Sequence, residues 1–257
     1  MKITDLKCTV LGNNPVVRIV TDEGISGYGE VEASKHYLKS HVLFYKQFLI
    51  GEDPTNVERV MLKIRRLGSF KPWGSSVSAI EMALWDVAGQ AAGLPVYKLL
   101  GGKVRDRVRV YNGAVRFPMT GHSPADYAEN VIKMKESKEG FTIIKQGVGF
   151  HSQMPAQVPD FFYGEMQSGR FHANRGLLTE RGLNHVVDCV RAMKEALGDT
   201  VGLALDCGPG WTVSDAIRLG RALEPMHILW LEDLLTGDYV PYVSPELYRE
   251  VTQSTST

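Results

Sequence analysis

The sequence predicts an α/β protein: an α+β region over residues 1–105, then the strand–helix repeats of a parallel sheet over 106–257. Three observations predict it. Polar and apolar residues alternate through the first 33 positions, the period of half-buried strands. The stretch SAIEMALWDVAGQAAG (78–93) then carries apolar residues at helical spacing. From residue 108 onward, near-continuous apolar runs alternate four times with amphipathic segments. That is the pattern of strands covered on both faces by helices.

Taken in order, KITDLKCTVL (2–11) and PVVRIVTD (15–22) are strand-like, and the corner Asp22-Glu23-Gly24 turns the chain into ISGYGEVEAS (25–34). GYGE (27–30) lies inside this meander, a context that gives it no phosphate-binding role. Residues 35–67 read as helical with a break at GEDPT (51–55). The next helix opens at 75–78 and carries the stripe Ile80, Ala83, Leu84, Val87 and Ala88. Gly93 ends it and Pro95 follows. VRVYNGAV (108–115) is the first strand of the repeats. SPADYAENVIKMKES (123–137) is a helix with Ser123 as N-cap and Pro124 at its first position. FTIIKQGVG (141–149) is a strand, and TERGLNHVVDCVRAMKEALG (179–198) a helix ended by Gly198. VGLALDCG (201–208) is a strand and TVSDAIRLGRALEP (212–225) a helix. ILWLEDLL (228–235) is the fourth strand, apolar on both faces through Leu231, and SPELYREVTQ (244–253) the fourth helix.

Charge excludes several function classes. With 29 Lys+Arg against 29 Asp+Glu there is no electrostatic reason to bind nucleic acid or an anionic membrane. No apolar run approaches the roughly 18–20 residues that span a bilayer. The N-terminal alternation lacks a signal-peptide core, so a cytoplasmic location is expected. Cys8, Cys189 and Cys207 are odd in number and far apart, which predicts buried free thiols in a reducing compartment.

The strand ends carry the chemistry. A doubly wound sheet and a (β/α)8 barrel both place active sites there. The second repeat strand ends with Lys145, the third with Asp206, the fourth with Glu232-Asp233. No G-x-G-x-x-G follows the first strand, so no dinucleotide is expected. Carboxylates converging from adjacent strands suit Mg2+. A partly desolvated lysine beside such an ion is expected to have a depressed pKa and to act as a base. Together they could remove the proton α to a carboxylate while the charge that develops is stabilised. Blander readings stand beside this one: Lys145 as a solvated charge, Asp206 as the N-cap of the following helix, Asp233 as a salt-bridge partner.

The block SAIEMALWDVAGQAAGLPVYKLLGG (78–102) resembles the signature that closes the N-terminal capping domain in the mandelate racemase/muconate lactonizing branch of the enolase superfamily, and GISGYGEVEAS (24–34) resembles the same domain's meander. The resemblance implies an α+β capping domain on a (β/α) TIM-type barrel, of which about the first four strands are present. It also implies a Mg2+ ion and abstraction of the α-proton of a carboxylate substrate. By position it makes Asp206 and Glu232 the first two metal ligands, Asp233 their support, and Lys145 the second lysine of a Lys-x-Lys strand. Ile143 stands where the first lysine would be, and Leu234 where a proline is usual. The long segment 150–178 resembles the insertion of sugar-acid dehydratases, the mannonate dehydratase-like group in particular. That group often has a histidine two residues after the first ligand, where this chain has Gly208. The insertion is expected to contact an acid-sugar substrate through His151 and Tyr163, and also carries Arg170 and His172. The implied reaction is β-elimination of water; a racemase or epimerase, or a non-catalytic subunit or scaffold, are the alternatives. A symmetric homo-oligomer is expected by analogy. The third ligand is expected beyond residue 257, and the 257 residues alone are expected to bind Mg2+ poorly and turn over nothing.

Overall fold

The computed structural model describes residues 1–68, 74–113, 115, 117–164, 177–235 and 245–256. The chain divides into two compact units, Met1–Arg107 and Val108–Thr257.

In the first unit, β1 (Ile3–Leu11), β2 (Asn14–Thr21) and β3 (Ser26–Glu30) form an antiparallel meander in that order. Alternation does its work here: Val17 and Ile19 of β2 turn into the core while Arg18 between them stays out. The expected helical stretch over 35–67 is broken into α1 (Lys39–Phe44), α2 (Lys46–Leu49) and α3 (Val57–Gly68). The long helix α4 (Gly74–Ala92) lays Ile80, Ala83, Leu84 and Val87 into the core, and α5 (Val96–Leu99) follows Pro95. Gly27 and Gly29 have a packing role. A Cβ on Gly27 would lie 2.1 Å from the Ala83 carbonyl oxygen, and one on Gly29 2.0 Å from that of Ala79. Only glycine lets β3 lie this close to α4.

In the second unit, α6 (Pro124–Lys135) starts with a capping box: the Ser123 hydroxyl accepts from the Asp126 amide, and the Asp126 carboxylate accepts from the Ser123 amide. The rest follows as β4 (Ile143–Gly147), α7 (Met154–Gln157), α8 (Glu180–Leu197), β5 (Gly202–Asp206), α9 (Val213–Leu223), β6 (Leu231–Glu232) and α10 (Pro245–Ser254). β4, β5 and β6 form a parallel sheet in that order. Ile144, Leu203 and Leu205 meet Val186, Val190 and Met193 of α8 and Leu219 of α9 in one core.

Three expectations are corrected. Among the described residues the strand expected over 108–115 reduces to a single bridge, Asn112 to Ile144, because Val108 and Val110 are solvent-exposed and Asn112 is the one buried residue there. The fourth strand is not buried on both faces. Leu229 is 49% exposed and Trp230 and Leu231 are half-buried. Among the described residues that strand's partners are β5 and, past the end of β5, Trp211, which bonds Leu234 and bridges to Leu235. The 150–178 insertion is not given wholly to substrate contact either; its ends pack inward. Met154, Phe161, Phe162 and Leu178 lie in the core. Among the described residues no helix is long and apolar enough to cross a membrane.

Candidate active site

Register brings the strand ends together. Gly147 pairs with Asp206, and Asp206 pairs with Glu232. The two acids therefore sit side by side on adjoining strands. Lys145 lies two residues before Gly147 and points to the same face of β4. Its Nζ is 2.6 Å from Glu232 Oε1 and 3.2 Å from Asp206 Oδ2. Lys145 is 8% exposed and Asp206 4%, so neither is a solvated charge. Asp206 does not cap the following helix; Thr212 does, accepting from the Asp215 amide at 3.1 Å.

The carboxylates are held from several sides. Trp230 Nε1 donates to Glu232 Oε2 at 3.0 Å. The Trp230 ring meets Tyr111 edge-on with centroids 5.2 Å apart, and Lys145 Nζ lies 5.7 Å from the Tyr111 centroid, a cation–π distance. His151 Nδ1 is 3.1 Å from Asp206 Oδ1. Burial raises Glu232, but hydrogen bonds from Lys145 and Trp230 outweigh it and hold the carboxyl below its ordinary value. Burial likewise pulls Lys145 down, yet its hydrogen bonds to Glu232 and Asp206 win and raise it. The expectation of a depressed lysine is thus reversed in this arrangement: two anions within hydrogen-bond reach outweigh partial desolvation.

The donor set fits a hard cation. Carboxylate oxygens of Asp206, Glu232 and Asp233 all lie within 4.8 Å of one another. Asp233 is exposed and carries a positive φ of 54°, which turns its side chain toward its neighbours instead of continuing the strand alternation.

Gly208 accounts for the position of His151. It adopts φ +67°, and a Cβ there would lie 2.5 Å from the His151 nitrogen and 2.8 Å from the Phe150 carbonyl carbon. The loop after β4 is laid across Gly208, and the His151 amide donates to Val148 and Cys207 carbonyls at 3.1 and 3.2 Å. Tyr163 is not brought to this centre. It is 69% exposed, and no hydrogen bond among the described residues links its side chain to Lys145, Asp206 or Glu232. Its neighbour Phe162 bridges to Leu178 and turns into the core, so alternation sends Tyr163 outward. Arg170 and His172 lie outside the described residues. Trp230 is the residue that sequence reasoning missed. Its signal was legible, because a residue two before Glu232 on a strand shares its face. Tyr111 carried no such signal.

The sequence model of the mandelate racemase / muconate lactonizing enzyme N-terminal domain matches residues 9–101, and that of the enolase C-terminal domain-like family matches 126–256. The chain belongs to the mandelate racemase/muconate lactonizing branch of the enolase superfamily. Among similar proteins of this branch, the D-galactonate dehydratase family member ManD of Chromohalobacter salexigens is 33% identical over 272 residues, covering 100% of this chain and 64% of the relative. The D-xylonate dehydratase of Haloferax volcanii is 34% identical over 264 residues, covering 100% and 58%. The solved mandelate racemase/muconate lactonizing enzyme-like protein of Rubrobacter xylanophilus superposes with a TM-score of 0.74 at 29% identity, covering 100% of this chain and 65% of that one. An enolase superfamily member from Salmonella Typhimurium gives 0.79 at 25%, covering 99% and 65%. The fold is therefore α/β, an α+β N-terminal domain and part of a (β/α) barrel. The chain spans about three fifths of the length of the curated relatives it matches.

Proposed function

We propose that these residues belong to a Mg2+-dependent sugar-acid dehydratase. Lys145 is the base, and Asp206 and Glu232, backed by Asp233, hold the ion. The observation that carries this reading is the convergence of Lys145, Asp206 and Glu232 at the ends of neighbouring parallel strands. The relatives named as D-galactonate, D-xylonate and D-mannonate dehydratases support the substrate class.

When bound, the ion supplies electrostatic stabilisation of the negative charge that develops on the substrate carboxylate. The chain's own groups do the rest. Once Asp206 and Glu232 are engaged with a cation, burial remains as the main influence on Lys145, and burial favours the neutral amine. Neutral Lys145 accepts the α-proton at Nζ. Trp230 keeps one Glu232 oxygen fixed, so the carboxylate does not swing with the lysine. His151, whose Nδ1 lies 3.1 Å from Asp206 Oδ1, keeps Nε2 for a substrate hydroxyl. Loss of the β-hydroxyl then gives a 2-keto-3-deoxy acid.

The test uses the protein as its gene encodes it, incubated with Mg2+ and a library of acid sugars in D2O and followed by NMR. The expected result is α-deuterium incorporation with keto acid formation, and a loss of about 10²–10⁴-fold in exchange for Lys145→Ala. Exchange at the wild-type rate in that variant removes Lys145 as base. Inversion without keto acid identifies an epimerase instead. Mg2+ binding is expected to be weak while the Lys145 ammonium holds the same oxygens; calorimetry revealing a tight site would refute that.

A further inference from the structure

The sides of β4 divide the chemistry. Lys145 faces the acids, and Gln146, next along the strand, faces the other way. On that side lies a cavity of about 500 Å3 between β4, α6, the 117–122 segment and the loop after β4, which meets the proposed active site at His151. Its size is that of a small-molecule site. Among the described residues that line it, none carries a carboxylate, an ammonium or a guanidinium group.

Two buried primary amides form the polar wall. Asn130 Nδ2 donates to Gln146 Oε1 at 2.7 Å. Asn130 Oδ1 has no hydrogen-bond partner among the described residues, although Asn130 is buried. Among the described residues Gln146 Nε2 has only its neighbour's carbonyl at 3.3 Å and the Met119 sulfur at 3.8 Å. An amide pair joined by one good bond leaves one acceptor and one donor wanting better partners. A hydroxyl supplies both; a carboxylate only accepts and an ammonium only donates. Beside the amides, His122 Nδ1 and the Tyr127 hydroxyl are 3.1 Å apart. Burial lowers His122 and raises Tyr127, so both keep the wall uncharged at neutral pH. Phe117 and Phe150 supply apolar surface to the same cavity.

We infer that this cavity is a second binding site, for a neutral polyhydroxylated molecule of monosaccharide or polyol size, with its hydroxyls on the Asn130–Gln146 amides and its C–H face on the phenyl rings. The cavity shares His151 with the proposed active site, but the second site rests on the Asn130–Gln146 amides, and failure of the elimination leaves it standing.

The test is saturation-transfer NMR with D-xylose, D-galactose and mannitol as neutral probes, and acetate and methylammonium as charged ones. At least one neutral probe should bind saturably, with a Kd of about 1 mM. Gln146→Leu and Thr120→Trp should each weaken it by about tenfold or more, the first by removing an amide and the second by filling the cavity from its exposed rim. Lys145→Met should leave it unchanged, and circular dichroism checks that Gln146→Leu folds. Four outcomes overturn the inference: no saturable neutral probe up to ~100 mM, binding that survives both cavity variants, preference for a charged probe, or loss of binding in Lys145→Met, which would place the probe at the strand ends.

Discussion

Lys145 bonds both Glu232 and Asp206, so any divalent ion must displace an ammonium to reach those oxygens. Removing it should help the ion. Lys145→Met is expected to raise Mg2+ affinity by about tenfold, since two like cations this close repel strongly at partial burial; calorimetry or Mn2+ resonance spectroscopy measures it, and unchanged affinity would mean the ammonium does not compete. The pair also sets a pH window. Glu232 lies below its ordinary 4.5 and Lys145 above its ordinary 10.5. Their contribution is full between those values. It is lost as pH falls through the lowered Glu232 value and as pH rises through the raised Lys145 value. Glu232→Gln should cost on the order of 1–2 kcal/mol at pH 7, less than for a fully buried pair because Glu232 is partly exposed. Urea midpoints of both proteins should converge at the acid and alkaline ends. At this scale Lys145, Asp206 and Glu232 were legible, because a strand end fixes where a side chain goes. The burial of Lys145 was not, nor was the contact of His151 with Asp206, because each depends on how neighbouring segments close over it.

Elements were mostly legible where local chemistry decides. Ser123, Thr179 and Gly198 bound their helices in the structure. Ser123→Ala is expected to cost about 1 kcal/mol, read as a lower urea midpoint without a change in slope. The strand over 108–115 was misread because alternation reports a half-buried face only when something covers that face, and Val108 and Val110 stay exposed. The GYG run of β3 was read as part of the meander, where it lies, but its packing against α4 needed coordinates. Gly29→Ala should destabilise by about 3 kcal/mol, because its methyl must push β3 off the Ala79 carbonyl; thermal unfolding within about 1 °C of wild type would contradict that contact.

For the molecule as a whole, each unit has its own hydrophobic core. The three cysteines divide between these interiors and are free and buried, as their spacing suggested. Burial raises all three thiols, Cys189 to about 12. A thiol reagent at pH 8 should leave the native protein almost unmodified over minutes and label three sulfurs per chain in denaturant, because the thiolate is the reacting form. Rapid labelling of Cys189 or Cys207 in the native protein would show that the second unit opens readily. The repeat of strands and helices was legible from period alone. The chain divides at Arg107 and Val108, close to the change of period after about residue 105.

Gly208 has a consequence for how such a centre can change over generations. A bulkier residue there collides with the main chain of Phe150 and His151, not with a side chain that could rotate away. An imidazole cannot be moved from 151 to 208 by a single replacement; the loop has to retreat first, and with it the existing grip on Asp206. Positions 151 and 208 are sterically coupled, and a random library at 208 in this background should yield glycine almost alone among folded survivors.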